Sequence, residues 1–74
     1  MVKGVILLGL VLGWEERVLR EIRKFEGVKD AFPVYGEYDG VVLFEVDGQE
    51  KLNTTIARIR RMEGVTRTVT LVAF

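Results

Sequence analysis

Residues 22–28 read IRKFEGV and residues 59–65 read IRRMEGV, an echo at an offset of 37 in a chain of 74 residues. Each copy has the same grammar. The tail of an amphipathic helix comes first, then a glycine, then a β-branched residue that opens a strand. Gly27 and Gly64 suit the left-handed backbone position that ends a helix. Upstream of the first copy, Trp14, Val18, Leu19, Ile22 and Phe25 fall at helical spacing, with Glu15, Glu16, Arg17, Arg20, Glu21, Arg23 and Lys24 between them. In the second, Leu52, Ile56, Ile59 and Met62 make the apolar stripe, and Lys51, Arg58, Arg60 and Arg61 the wet face.

Four apolar runs surround these helices: Val2–Leu12, Val28–Tyr35, Val41–Asp47 and Thr66–Phe74. The order is two βαβ units related by a pseudo-twofold. That predicts an α+β fold, a ferredoxin-like βαββαβ sandwich occupying residues 1–74 as one domain. The expected strand order is 4-1-3-2, with both helices on one face of the sheet. Pro33 suits an edge strand.

One face of the sheet is then left bare. Along the first strand Ile6, Leu8, Leu10 and Leu12 point one way, and Val5, Leu7 and Val11 the other. In the third, Val42, Phe44 and Val46 oppose Val41 and Leu43; in the fourth, Val69, Leu71 and Ala73 oppose Val72 and Phe74. A half-solvated sheet alternates apolar with polar residues, but these strands are apolar on both sides. Large side chains left in water forfeit roughly 1.5–3 kcal/mol each. The pattern predicts a homodimer that closes sheet against sheet into a dimeric α/β barrel. A charge at Leu8 or Leu10, whichever faces outward, is expected to dissociate or unfold it.

Composition narrows the chemistry. The chain has neither cysteine nor histidine. Disulfides, the usual zinc sites and histidine-based catalysis are thereby removed. The formal charge is zero, from 11 basic and 11 acidic residues, which argues against direct binding to nucleic acid. The longest apolar run, Val5 to Leu12, is far short of the ~20 residues that span a bilayer. Only Lys3 precedes it and a charged helix follows, so neither a signal peptide nor a membrane anchor is expected, and the expected location is the cytoplasm. Charged residues at 30%, with a single Gln and a single Asn, resemble thermophile usage.

No metal cluster, paired-carboxylate site, phosphate loop or cofactor motif stands out, and no catalytic residue is assigned. Two polar clusters remain: Tyr35-Gly36-Glu37-Tyr38-Asp39 and Thr66-Arg67-Thr68-Val69-Thr70. The first has the composition of a tight turn. In the second, Thr68 and Thr70 lie two apart and share one face of a strand, where threonine is in any case common. Together they offer a carboxylate, hydroxyls and free turn N–H groups, the set that holds a zwitterion.

The run GEYDGVV at 36–42, followed by EGVTRTVTL at 63–71, resembles the effector-binding domain of the leucine/asparagine-responsive (Lrp/AsnC) transcription regulators. The resemblance extends over nearly the whole chain. It implies a domain that dimerises through its sheet, assembles into an octamer-like ring and binds a small amino-acid effector between subunits. On that resemblance the ligand-binding positions are Gly36, Tyr38, Asp39, Thr68 and Thr70. Regulators of this family also carry an N-terminal helix-turn-helix domain. Here the first strand begins at residue 2, so the sequence reads as a stand-alone module that acts through full-length regulators. If both clusters hold one ligand, Asp39 and Thr68 are expected at opposite ends of the sheet, roughly 15–20 Å apart in one chain, and so to come from different subunits.

Three other readings are open to the sequence. An ACT-like amino-acid-sensing domain shares the topology and would bind at the first strand–helix turn, Leu12-Gly13-Trp14. A cofactor-free dimeric α/β-barrel enzyme would have only Trp14 and Asn53 to work with. A purely structural assembly unit would bind nothing.

Overall fold

The computed structural model describes residues 1–74. Strand β1 (Val2–Leu10) leads into helix α1 (Glu15–Ile22) and strand β2 (Val28–Pro33); strand β3 (Gly40–Val46), helix α2 (Gln49–Arg60) and strand β4 (Val65–Val72) repeat the pattern. The sheet order is β2-β3-β1-β4, all neighbours antiparallel. This is the ferredoxin-like arrangement, with Pro33 on the edge strand β2, where a missing N–H breaks no inner ladder. Gly27 and Gly64 end the two helix–strand turns at φ +88° and +98°, a region closed to most side chains.

Both helices cover one face. Val18, Leu19 and Ile22 of α1 and Leu52 and Ile59 of α2 lie in one cluster with Ile6, Leu8, Leu10, Ala31, Val42, Phe44 and Val46. Ile6 and Leu8 are wholly buried there and Leu10 is 7% exposed. Thr55, the one polar residue of the layer that is buried as a whole, donates its hydroxyl to Lys51 O at 3.0 Å, so it leaves no donor unmet.

The opposite face carries no element of the chain. Register places Phe32, Val41, Leu7 and Val69 in one row across all four strands, and Asp30, Leu43, Val5 and Leu71 in the next. Phe32 is 36% and Leu71 52% exposed; the inner members are half-buried. The outward residues of β1 are therefore Val5 and Leu7, and not Leu8 or Leu10, both of which lie under the helices.

The strand ends are shorter than the apolar runs. β1 stops at Leu10, because the Val11 N–H turns to Gly64 O and Gly13 takes φ +93°. Leu12, expected to line up with Leu10, is instead 91% exposed. No helix is long and apolar enough to cross a membrane.

Candidate functional site

β3 and β4 each run antiparallel to β1, and so run parallel to one another. Gly40 and Thr68 both stand opposite Leu8. The two polar clusters thus share one end of the sheet. Two strand spacings separate their backbones, about 10 Å. The expected separation of 15–20 Å across opposite ends is incorrect, since it treated β4 as antiparallel to β3.

Asp39 is fixed by the ladder itself. Its N–H donates to Leu8 O at 2.7 Å, and its carbonyl accepts from the Val34 N–H at 3.1 Å. Its Oδ2 accepts from the Leu10 N–H at 2.8 Å, where a further residue of β3 would have offered a backbone carbonyl. The side chain extends the ladder by one bond while the chain departs into the β2–β3 loop. That loop turns at Gly36, φ +133°. The N–H groups of Tyr35, Gly36, Glu37 and Tyr38 donate to nothing within the chain.

Asp39 borders a cleft of about 470 Å³ with Leu12, Glu15, Pro33, Val34 and Tyr35. That volume lies within the roughly 300–1,000 Å³ of small-molecule sites. Glu15 opens α1, and its Oε1 accepts from the Gly13 N–H at 3.0 Å. The cleft therefore holds two carboxylates, each with one oxygen tied to backbone, and no cationic side chain. Three apolar walls and a fully exposed tyrosine ring complete it.

Thr68 and Thr70 do not enter this cleft. They face the helix layer, opposite Leu8 and Ile6. Thr68 Oγ1 accepts from Arg60 Nε at 3.0 Å and lines a smaller cleft, about 270 Å³, with Arg60, Val65, Thr66 and Arg67. Thr70 Oγ1 is buried and has no partner within the chain. Tyr38 is half-buried under the Arg67 guanidinium, whose Cζ lies 4.6 Å from the ring centroid, and it lines neither cleft. Of the five sequence-derived positions, Asp39 borders the larger cleft, Gly36 and Tyr38 belong to its loop, and the two threonines lie across β1.

Residues 4–74 match the model of the Lrp/AsnC ligand binding domain. The chain belongs to that family. It is 36% identical to a hypothetical protein, PHS023, of Pyrococcus horikoshii, over 100% of this chain and 90% of that one, with a TM-score of 0.93. FFRP-DM1 is likewise 36% identical, with 100% of both chains covered and a TM-score of 0.94. Escherichia coli AsnC shares the fold at 19% identity and a TM-score of 0.86, over 97% of this chain and 50% of that one. No curated protein matches the chain.

For an Lrp/AsnC ligand-binding domain, the cleft contains contributors that the motif reading passed over. Glu15, Leu12 and Pro33 come from outside both clusters. Leu12 also belongs to the turn where an ACT-like domain would bind. The first strand–helix turn and the GEYDG loop line one cleft, so the position of a bound ligand does not by itself separate the two readings. The missed signal was an acidic residue two positions after Gly13, at the first turn of a helix, where it serves the helix dipole and stays available to a ligand.

Proposed function

We propose that the protein is an amino-acid-binding, oligomeric regulatory module, acting on transcription through association with full-length Lrp/AsnC-type regulators. The observation that carries this reading is the Asp39 cleft. Carboxylates at Asp39 and Glu15 suit the ammonium of a free amino acid. The unpartnered N–H groups of the β2–β3 loop suit its carboxylate, and Leu12, Pro33 and Val34 suit an apolar side chain. Family membership supports the regulatory role.

The open apolar face supports the oligomer. A homodimer that packs this sheet against its copy covers the rows through Leu7 and Val5, and dimers then build a higher, octamer-like ring. In such an assembly Thr68, Thr70 and Arg60 of a neighbouring subunit can complete the ligand site, which makes binding and assembly reciprocal. The chain has no catalytic role in this reading, no cofactor, and no direct contact with DNA.

A thermal-shift screen of the twenty amino acids tests it. A ligand at 100 times its dissociation constant adds about 2.7 kcal/mol per site. Absence of any shift would overturn the amino-acid reading. Mixing Asp39→Ala chains with Thr68→Ala/Thr70→Ala chains tests the shared site. Recovery of binding in the mixed oligomer supports it. No recovery, although subunits exchange, places the whole site within one chain.

A further inference from the structure

One side chain joins the two polar clusters within a single subunit. Arg67 leaves β4 opposite Gly9 of β1. A Cβ at position 9 would lie 2.8 Å from Arg67 Cγ and 2.7 Å from Thr66 Oγ1, closer than side chains approach. The arginine stem lies flat across β1 because Gly9 has nothing in its way. The guanidinium comes to rest over the β2–β3 loop. There Nη2 donates to Glu37 O at 2.8 Å, and Cζ stands 4.6 Å from the centre of the Tyr38 ring. The loop has few other ties. Val34 and Asp39 bond its two ends, and between them the Arg67–Glu37 bond is the only hydrogen bond to any of Tyr35, Gly36, Glu37 and Tyr38.

We propose that Arg67 is a positioning residue: it latches the β2–β3 loop in the shape that presents its free N–H groups to the Asp39 cleft, which Arg67 itself does not line. Arg67 borders the cleft beside Thr68 and not the one beside Asp39. A loop anchored only at its ends, with a glycine at positive φ, samples many arrangements of those N–H groups, and each arrangement lost on binding weakens the ligand. The latch selects one of them beforehand. It also stands on the open face, two residues along β4 from Val69, so a sheet packed on that face bears on the Arg67 stem. Loop shape and assembly are thereby in mechanical contact through one residue.

Two variants test this from different directions. Arg67→Ala removes the guanidinium. Gly9→Ala leaves it in the chain and blocks its path. The readout is limited proteolysis by a glutamate-specific protease, as the rate of cleavage after Glu37 relative to Glu63 in the α2–β4 turn. Both variants should raise that ratio about tenfold, the combined effect of one hydrogen bond and one exposed cation–π contact. Arg67→Lys should raise it less, since an ammonium keeps the charge over the ring but lacks the planar fork. Should Gly9→Ala fail to fold, Tyr38→Leu replaces it, with a smaller rise expected. An unchanged ratio in variants that still unfold cooperatively overturns the latch. The ligand arm rests on the amino-acid reading and uses the same panel of twenty. An amino acid that stabilises the wild type should bind Arg67→Ala at least several-fold more weakly; equal binding by a loosened loop overturns the positioning role. If no amino acid shifts the wild type, the amino-acid reading fails, and the proteolysis ratio still decides whether the latch holds the loop.

Discussion

The two faces of the sheet are built from alternate residues of the same strands, yet they differ in what covers them. Ile6 and Leu8 lie wholly buried under α1 and α2, while Val5 and Leu7, their immediate neighbours, lie on a face that no helix of the chain covers. Both sets are equally apolar. The helix face is complete within one chain, so its stability should not depend on concentration. The open face is complete only against a second surface, so its stabilisation should.

The sharpest way to break this contrast is Leu7→Asp. A carboxylate in the middle row of the open face should abolish the dimer, with sedimentation reporting monomer or unfolded chain at concentrations where the wild type is associated. A wild type that is itself monomeric at micromolar concentration removes the basis of the comparison. Leu8→Ala, one residue away, should behave differently. It should cost about 2–5 kcal/mol by denaturant titration, through a cavity in the helix-side core, with the association state kept.

Thr70 sharpens the contrast from the helix side. Its buried hydroxyl lacks a partner within the chain, so Thr70→Val should be neutral or stabilising by about 1 kcal/mol. Loss of the amino-acid response in that variant, measured by thermal shift, would assign the hydroxyl to the ligand. An unaltered response would return Thr70 to the core.

The smallest expected effect is on the wet outer side of the helix layer. Lys51 Nζ lies 2.9 Å from Glu26 Oε1, and their hydrogen bond, with charge attraction second, lowers the Glu26 pKa below 4.5 and raises that of Lys51 above 10.5. For Glu26 the contribution is present above its unfolded value and is lost as pH falls through the lowered one. For Lys51 it is present below its unfolded value and is lost as pH rises through the raised one. Both side chains lie at the surface, so Glu26→Gln should leave the melting temperature at neutral pH within experimental scatter. A carboxyl titration by NMR should show the depressed midpoint in low salt and its return toward the ordinary value in high salt.

Much of the architecture was legible in the sequence, because the repeated EGV turns and two periodicities leave few topologies. Which face the helices cover was not. Period-2 alternation sorts Leu7 from Leu8, but both are leucine, and only the packing of Leu19 and Leu52 decides. The strand ends were overrun because hydrophobicity continues through Val11 and Leu12 after the ladder has stopped. Asp39 could be picked from its motif. Its cleft partner Glu15 could not, since an acidic residue in a first helical turn already has an ordinary explanation. Arg67 lay in plain view inside TRTVT, but its role depends on standing opposite Gly9, and that pairing needs the register. The misplaced distance between Asp39 and Thr68 came from the same gap: strand order alone does not tell direction until both pairings with β1 are written out.

On the amino-acid reading, the shape of the Asp39 cleft sets how tightly a ligand is held. It is a cleft and not a closed cavity, and a small ligand resting there keeps part of its surface in water. The gain per non-hydrogen atom is capped, at about 1.5 kcal/mol for the best small ligands, so every atom left in water lowers the affinity. A single subunit should therefore bind loosely and release quickly. Loose binding is what a gauge needs: its occupancy changes over the range where a free metabolite pool rises and falls, whereas a tight site would stay full.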